Sequence, residues 1–406
     1  MDLALSEEQQ MVQRMVRDFA TREIAPSVKE HDRQQVFDHS LLPKMAAQGL
    51  LGICLPVRYG GAGMDYIALG LACEELEYVD TANRVIMSVH VGLNCLTILQ
   101  WGTEEQKQRY LVPQAMGQKI ATYGLTEPAA GSDVVGIQSI ARRDADRWVL
   151  SGEKMWISLA DVADHFLVFA WTDLEKKRGR DHSGMSAFIV ERSFPGVETG
   201  TIHGKLGIRA GNTGWISMKD VPVPAGNMLG REGEGFYIAM SALDSGRYTV
   251  AWGATGLIRA CLDASVRYAK QRQAFGTEIG KHELVQQMIA YMQLKYDAAR
   301  LLCLRAAWLK NLGQRNTRET ALAKWYATVG SFESAADAVE VHGAYGYSDE
   351  YDVERFLRNS KGAVIYEGSR EIQQLIQAQY ALGYRKDRPL RCELPGYDPV
   401  AWQEEA

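Results

Sequence analysis

Cysteine is scarce in this sequence, and no cysteine occurs in a pattern that suggests chemistry. Six cysteines are spread over 406 residues, with no Cys-x-x-Cys pair and no histidine at zinc-binding spacing. This argues against a disulfide scaffold and against a structural metal site, so we expect no metal. We interpret them as buried thiols in a reducing compartment: Cys54, Cys73, Cys95, Cys261, Cys303 and Cys392.

An excess of positive charge and long apolar runs are also missing. Lysine and arginine number 45 against 50 acidic residues, a net charge of -5, which gives no reason to expect a nucleic-acid partner. No apolar run approaches the roughly 20 residues that a membrane helix needs, so we predict no membrane span. The first residues, Met1–Glu8, are acidic and resemble neither a secretory signal nor a transit peptide. We therefore expect a bacterial-type cytoplasmic protein.

A Gly-x-Gly-x-x-Gly segment between a strand and a helix is absent, so the sequence does not support a Rossmann-type nucleotide site. The glycine cluster Tyr59–Gly63 lacks the flanking strand and helix, and we interpret it as a plain turn. Any nucleotide cofactor must then be held by another kind of loop.

Hydrophobic periodicity divides the chain into three regions and a tail. Residues 1–118 show the helical period, beginning with a capping box at Ser6–Gln9, and predict a helical domain. Residues 119–229 contain alternating and β-branched stretches separated by turn residues, which predicts a small antiparallel β-domain. Residues 230–385 return to the helical period and predict a bundle, and residues 386–406 form a surface tail.

Two local features qualify this division. The stretch Phe236–Gln271 predicts one long helix with a break near Asp244–Gly246. The charge run Glu175–Asp181, between two strands, is interpreted as a solvated loop and not as a binding patch. Helices, then strands, then helices indicate segregated layers.

The segment Val364–Ser369 places a carboxylate, Glu367, between an aromatic residue and a glycine at the start of a predicted helix. Apolar neighbours raise the pKa of a carboxyl toward working pH, as a general base requires. The alternative is a helix-start glutamate favoured by the helix dipole. Taken alone, the segment Val364–Ser369 favours this alternative. Other segments of the chain favour the general base instead.

Those other segments are Thr126–Pro128 and Trp156–Ser158, which occur in order before Arg355–Gln374. Together they resemble the acyl-CoA dehydrogenase family of flavoenzymes over about residues 5–382. The resemblance implies an N-terminal α-domain, a middle antiparallel β-domain and a C-terminal four-helix bundle, assembled as a homotetramer. It also implies that Glu367 abstracts the α-proton of an acyl-CoA while FAD takes the β-hydride, and that an electron-transferring flavoprotein is the electron acceptor.

The segment 123–133 is rich in small residues and hydrogen-bond donors, which can reach a ring edge or a pyrophosphate. Trp156 would add an aromatic face, whereas the alternative is a β-turn with a core tryptophan. The family resemblance assigns FAD contacts here to Tyr123, Leu125, Thr126, Gly131, Ser132, Trp156, Ile157 and Ser158.

The segment Gln271–Gly276 resembles the family's Arg-x-x-Phe-Gly, whose arginine reaches the FAD pyrophosphate of a neighbouring subunit. The alternative is a helix C-terminal arginine. The chain departs from the family pattern at Glu283 and Glu340, where glutamine is common, and at Ala344, where glycine is frequent. The resemblance implies FAD contacts from Arg272, Phe275, Glu283, Glu340, Gly343, Ala344, Ser369 and Glu371.

The segment Leu243–Arg247 resembles the one that lines the CoA side of the family's site. In one branch the residue before this arginine is the catalytic glutamate; here it is Gly246, which leaves Glu367 as the base at a family position. The Glu367 main-chain N–H is expected to polarise the thioester carbonyl. His90 and His342 have no suitable sequence partners and are interpreted as structural. Implied substrate contacts are Ser132, Leu243, Asp244, Arg247, Tyr366 and Gly368.

The segment Glu77–Ser88 resembles the glutaryl-CoA dehydrogenase branch, which carries an arginine and a serine at the positions of Arg84 and Ser88. In that branch they hold the distal carboxylate, and a glutamate occupies the position of Glu77. Ser348–Tyr351 is similar to the same branch. The alternative is that Arg84 is a surface helix residue paired with Glu77 or Asp80.

Three functions follow for comparison. The first is an FAD-dependent acyl-CoA dehydrogenase acting on glutaryl-CoA or a similar dicarboxylic thioester, with a short- or branched-chain acyl-CoA dehydrogenase as its alternative. The second is an acyl-CoA oxidase on the same scaffold, which would consume oxygen with substrate alone. The third, a non-catalytic CoA-binding protein, is disfavoured by Glu367.

We predict that the purified protein is yellow and tetrameric and carries one FAD per chain. The absorbance of the bound flavin and the mass of the native assembly measure both properties. A protein that stays colourless after reconstitution with FAD would contradict the prediction.

Overall fold

The computed structural model describes residues 4–387 and 389–404, so the first three residues of the predicted acidic N-terminus lie outside it. The predicted capping box is confirmed, since Ser6 and Gln9 exchange two hydrogen bonds of 3.0 and 3.2 Å at the start of the first helix. Helices occupy the first part of the chain: Glu7–Phe19, Val28–Gln34, Leu41–Ala47, Tyr66–Val79, Thr81–Trp101 and residues 104–115.

The helix Thr81–Trp101 corrects the expectation that no apolar run approaches membrane length. The helix has 21 residues. An 18-residue window of it has a mean hydropathy of 1.3, and 94% of that window is buried inside the protein. The apolar character is therefore explained by burial on all sides in the core of this fold. Its middle part, Met87–Cys95, is π-helical.

A mixed sheet follows the first helices. Among the described residues its strands are β1 Ala121–Gly124, β2 Ile140–Asp144, β3 Arg147–Ser158, β4 His165–Trp171, β5 Met185–Glu191, β6 Val197–Thr201, β7 Thr213–Pro224 and β8 Met228–Leu229. They lie in the order β6-β7-β3-β2-β4-β5-β8, and β1 pairs with β4.

The prediction of a purely antiparallel domain is wrong at two pairings. β1 runs parallel to β4 from Ala121 beside His165 to Gly124 beside Val168, and β2 meets β4 in parallel at one pair, Ile140 and Trp171. After β1 the chain leaves the sheet through the loop 125–139 and returns by β2 and β3. A parallel pair needs such a crossover, whereas a tight hairpin would make an antiparallel one.

The charge run predicted as a loop contains a short helix, Leu174–Arg178, whose first N–H groups are capped by the Asp173 carboxylate at 3.0 Å. Its side chains are largely exposed, and the salt bridge Arg178–Glu175 is a surface pair. The run is therefore solvated, as predicted, but ordered by an N-cap that sequence periodicity over five residues could not show.

The C-terminal helices are Gly235–Gln271, Glu283–Asn311, Thr317–His342, Val353–Ala363 and Arg370–Ala381. The predicted break near Asp244–Gly246 is absent from the first of them, which is continuous over 37 residues. Asp244 does not compete with the helix backbone, because its carboxylate accepts hydrogen bonds from Arg247 and Thr317 at 3.2 and 2.5 Å.

The tail does more than cover the surface. Trp402 is buried, its ring lies 5.9 Å from that of Tyr66, and its carbonyl accepts a hydrogen bond from the Val57 N–H at 2.8 Å. Cys392, also in the tail, is half-buried, which corrects the expectation that all six thiols are buried; the other five are. Arg388 and residues 405–406 of the predicted tail lie outside the described residues.

The helices Tyr66–Val79 and Gly235–Gln271 approach each other closely through glycines. A Cβ on Gly256 would lie 2.0 Å from the Glu74 carbonyl oxygen, and one on Gly70 would lie 2.3 Å from the Trp252 ring. Small residues at these crossings let the two backbones come together, and this contact joins the first helical region to the bundle.

We predict that Gly256→Ala destabilises the protein by about 1–3 kcal/mol, because the added methyl group meets a main-chain carbonyl that cannot rotate away. Thermal and denaturant unfolding measure the effect. Gly226→Ala is the matched control, since an added Cβ at Gly226 has no atom within 4 Å. Equal stability of the two variants would contradict the close approach.

Candidate active site

The turn that carries Glu367 joins the helix Val353–Ala363 to the helix Arg370–Ala381, whose N-cap is Ser369. Glu367 adopts a left-handed backbone conformation with φ 54°, and Gly368 follows with φ 89°. Glycine adopts this conformation at no cost, but a glutamate pays about 1 kcal/mol or more. A residue held in such a conformation needs surroundings that impose it.

Buried cations impose that conformation by binding three consecutive main-chain carbonyls. The Lys324 ammonium donates to the carbonyls of Tyr366 and Gly368 at 2.6 and 2.5 Å. The Arg247 guanidinium donates to the Glu367 carbonyl between them at 3.1 Å. Because charged donors make stronger hydrogen bonds than neutral ones, this arrangement determines the direction of the turn.

The Glu367 carboxylate is shielded from solvent. Its Oε2 is buried and has no hydrogen-bond partner among the described residues. Burial raises the pKa of the Glu367 carboxyl to about 7. A carboxylate with a free, desolvated oxygen and a pKa near working pH is suited to accept a proton.

Gly246 makes room for this carboxylate. A Cβ at Gly246 would lie 2.2 Å from Glu367 Oε2, so the absence of a side chain there is a spatial requirement. This position is the one at which the other family branch is expected to carry its base. In this chain the space is taken by Glu367.

Lys324 is a site residue that sequence reasoning missed. It lies in the helix Thr317–His342 with its ammonium fully buried, and burial lowers the pKa of Lys324. The sequence did hold a signal for Lys324. It lies on a stripe of small residues that faces the core, formed by Thr320, Ala323, Ala327 and Thr328. A lysine buried in this way needs oxygen partners.

Arg84, Glu77, Ser88 and Tyr366 form a buried cluster next to Glu367. The Arg84 guanidinium is completely buried and forms an ion pair with Glu77. It also donates to the Ser88 hydroxyl at 2.7 Å and to the Tyr366 hydroxyl at 2.5 Å. The interpretation of Arg84 as a surface residue is therefore wrong, whereas its pairing with Glu77 is observed.

The predicted flavin segments lie side by side. The Met155 N–H donates to the Thr126 carbonyl at 2.9 Å, so the loop 125–133 borders the end of β3. Trp156 is 60% exposed with φ 62°, which rules out the alternative of a core tryptophan. The indole is therefore exposed beside an open loop, on a residue with a left-handed backbone conformation. A planar ligand could stack on its face.

Glu127 and Lys154 hold this loop in place. They form a buried ion pair at 2.8 Å, and Glu127 also accepts hydrogen bonds from the Ser139 N–H and hydroxyl at 3.0 and 2.5 Å. The middle residue of the Thr-Glu-Pro segment therefore supports the loop, while Gly131 and Ser132 stay exposed at its tip. Of the other predicted residues here, Tyr123, Leu125 and Ile157 are buried and Ser158 is half-buried.

Most of the second predicted cofactor group lies at the end of the bundle far from Arg247, whereas Ser369 and Glu371 lie at the start of the helix Arg370–Ala381, beside the Glu367 turn. Arg272 directly follows the helix that contains Arg247, and the 25 residue steps from one to the other correspond to about 37 Å along the helix axis. Its guanidinium lies 5.8 Å from the Tyr345 ring, and Phe275 is 97% exposed. The neighbouring Glu283, Glu340, Gly343 and Ala344 are exposed too, as is Glu371 beside Ser369.

A cavity of about 1190 Å³ adjoins the site on the side of the helix Gly235–Gln271. Asp244 and Arg247 of that helix line it. Leu243, from the same helix, is buried. The cavity offers room for an extended ligand that reaches toward Glu367.

The two histidines considered in the sequence have structural contacts. The ring nitrogens of buried His90 lie 3.0 Å from the Gln114 carbonyl and from the Ala121 nitrogen. Burial lowers the pKa of His90 to about 4. His342 stacks on Tyr268 with ring centres 4.2 Å apart. Neither histidine contacts the Glu367 turn in these interactions.

Three family models match the chain in order. They are the acyl-CoA dehydrogenase N-terminal domain over residues 6–118, the middle domain over residues 122–221, and the C-terminal domain over residues 233–382. These matches, with the helix–sheet–helix order, confirm the predicted fold.

Individual relatives cover almost the whole chain. A short-chain specific acyl-CoA dehydrogenase of Clostridium acetobutylicum is 41% identical over 93% of this chain and 98% of its own. A glutaryl-coenzyme A dehydrogenase solved with glutaryl-CoA has a TM-score of 0.92 and 37% identity, covering 98% of this chain and 100% of that one. A chain in a structure described as the electron transferring flavoprotein of Acidaminococcus fermentans has a TM-score of 0.91 and 41% identity, covering 94% and 100%.

Proposed function

This chain belongs to the acyl-CoA dehydrogenase family, and we propose that it dehydrogenates a short acyl-CoA thioester that carries a free carboxylate at its distal end, such as glutaryl-CoA. It is an oxidoreductase of that family, whose members use FAD. The observation that carries the choice of substrate is the buried cluster of Arg84, Glu77, Ser88 and Tyr366 beside Glu367.

The residues of the β-domain fit a flavin. The exposed Trp156 face and the loop from Thr126 to Ser132 lie together, and Ser158 follows at the end of the same strand. We propose that these residues hold the FAD ring and the near phosphates. Bound there, the flavin would supply the acceptor for the hydride that leaves the substrate β-carbon.

Glu367 is proposed as the general base. Its buried, unpartnered Oε2 points into the space above Gly246, where it can take the α-proton. The bonds from Lys324 and Arg247 fix the carbonyls of the turn, and hence the direction of the Glu367 N–H that is expected to polarise the thioester oxygen.

Arg84 is proposed to receive the distal carboxylate. The guanidinium has five N–H donors, and its bonds to Glu77, Ser88 and Tyr366 leave donors for another oxygen. Since Glu77 already neutralises Arg84, an aliphatic acyl chain would not leave Arg84 unpaired. Preference for glutaryl-CoA over an aliphatic thioester then depends on attraction of the distal carboxylate to the Arg84 cluster.

We also propose a homotetramer and an electron-transferring flavoprotein as the electron acceptor. The exposed face of the helix Glu283–Asn311 carries large apolar side chains at roughly seven-residue spacing, a surface that a second copy can cover. They are Leu284, Tyr291, Leu294, Leu301 and Trp308. The distance of Arg272 from Arg247 supports its use in the site of another copy, and free thiols support a cytoplasmic location.

We predict that Glu367→Gln slows reduction of bound FAD at least about 100-fold, because general-base catalysis contributes roughly 10²–10⁴-fold. The variant should still bind FAD, as its absorbance will show. In the wild-type protein the rate of flavin reduction should rise with pH through about 7, since Glu367 must lose its proton before it can accept one.

The control for this prediction is Glu105→Gln, which removes an exposed carboxylate on the helix 104–115. Stopped-flow absorbance of the flavin measures both variants. If Glu367→Gln reduces its flavin at nearly the wild-type rate, the base is another residue.

We predict that Arg84→Met combined with Glu77→Gln lowers kcat/KM for glutaryl-CoA by roughly 30-fold or more, since truncating one partner of a charge pair at a binding site costs about 2–5 kcal/mol. Both charges are removed together so that no unpaired carboxylate remains buried. For butyryl-CoA the change should stay within a few-fold.

The matched control is Arg355→Met combined with Asp80→Asn, which removes another buried ion pair, of 2.6 Å. This control variant should be less stable than the wild type, but the ratio of kcat/KM for glutaryl-CoA to kcat/KM for butyryl-CoA should not change. A wild type that prefers butyryl-CoA, or an equal loss for both thioesters in the Arg84 variant, would indicate a short-chain acyl-CoA dehydrogenase in which Arg84 is structural.

A further inference from the structure

Two separate parts of the chain form walls of the cavity of about 1190 Å³. One wall is the helix Gly235–Gln271, which contributes Asp244 and Arg247 next to the Glu367 turn. The other is formed by residues 384–387 and 389–395, here called the C-terminal segment, most of which line the cavity. The C-terminal segment lies beyond residue 382, where the family-model match ends.

The C-terminal segment is attached to the fold on both sides of the cavity. The Tyr66 hydroxyl donates to the Pro395 carbonyl at 2.6 Å, and the Cys392 thiol donates to the Gln100 carbonyl at 2.8 Å. At its other end the Tyr380 hydroxyl donates to Asp387 at 2.7 Å. These contacts make it a wall of the cavity.

The cavity is strongly positive although the chain has a net charge of -5. Among its described lining residues, two carboxylates, Asp244 and Asp387, face six cationic side chains. A net positive cavity in an acidic protein concentrates anionic ligands. Half of the cations come from the C-terminal segment: Arg247, Lys310 and Arg315 on the helical side, and Arg385, Lys386 and Arg391 on the segment.

Aromatic rings lie beside these cations. The Arg391 guanidinium lies 3.9 Å from the centre of the Tyr237 ring, and Glu234 lies 3.8 Å from the same guanidinium. His182 stacks on Phe236 with ring centres 4.4 Å apart, and both line the cavity. Cations for phosphate groups and flat faces for a purine are the two features that a nucleotide end requires.

We propose that the C-terminal segment completes the CoA-binding channel, and that Arg385, Lys386 and Arg391 bind the phosphate groups of the coenzyme's nucleotide end. The inference rests on the proposed use of CoA thioesters. It assigns a binding role to residues outside the part of the chain that the family model covers. Glu367 and Arg84 act at one end of the channel and the C-terminal segment at the other.

The test is calorimetric titration of the FAD-loaded protein with free CoA and with pantetheine, which lacks the nucleotide phosphates. The variant is Arg385→Gln, Lys386→Gln and Arg391→Gln together, which keeps the segment and its hydrogen bonds through Pro395, Cys392 and Asp387. The control is Lys176→Gln, Lys177→Gln and Arg178→Gln, three cations of the exposed helix Leu174–Arg178.

We expect the segment variant to bind CoA roughly ten-fold more weakly, since each partly exposed charge pair contributes about 0.2–1 kcal/mol. Its affinity for pantetheine should not change, its CoA affinity should depend less on salt than that of the wild type, and the control should match the wild type. Unchanged CoA affinity of the segment variant, an equal loss for pantetheine, or no CoA binding by the wild type would overturn the proposal.

The titration is separate from catalysis. If no thioester reduces the flavin, the proposed dehydrogenation fails, while CoA binding and its dependence on the three cations are still measured. If flavin reduction proceeds and the segment variant binds CoA normally, only the assignment of the C-terminal segment fails.

Discussion

The site depends on hydrogen bonds from two buried cations to the main chain on either side of one glutamate. Lys324 and Arg247 together bind the carbonyls of Tyr366, Glu367 and Gly368. Without these bonds a glutamate with φ 54° would be free to relax to an ordinary conformation, and its carboxylate would turn away from the space above Gly246. The cations come from two different helices, so the turn is correctly shaped only when the bundle is assembled.

The site also depends on close packing of the helix Gly235–Gln271 against the helix Tyr66–Val79. Gly256 and Gly70 let the long helix meet the helix Tyr66–Val79 at backbone distance, and Gly253 on the same helix lies against Glu77 and Arg84. A side chain at any of these glycines would push apart the elements that carry the ion pair Arg84–Glu77 and the turn of Glu367. The same property that makes glycine a weak helix former permits the crossing on which the site is built.

The sequence predicted the order of helical and β regions well, because helical and strand periodicity extends over many residues. The prediction failed where a local contact determines whether a helix continues or how a strand pairs. The helix through Asp244–Gly246 continues because Asp244 bonds to Arg247 and Thr317, and β1 is parallel because a loop leaves the sheet after it. Glu367 and the Trp156 loop lie in motifs of several residues and could be found, whereas Lys324 is a single residue whose partners are main-chain carbonyls far away in sequence.

The charges around Glu367 explain why a carboxylate can work as a base in a closed site. Among the described residues Arg84, Arg247 and Lys324 stand near Glu77, Asp244 and Glu367, three positive and three negative groups. In the proposed reaction Glu367 takes a proton from the substrate, the negative charge moves to the thioester, and the cations that hold the turn stay in place. The developing enolate then lies among fixed donors and positive charges that need no rearrangement, which is the condition for electrostatic stabilisation of a transition state.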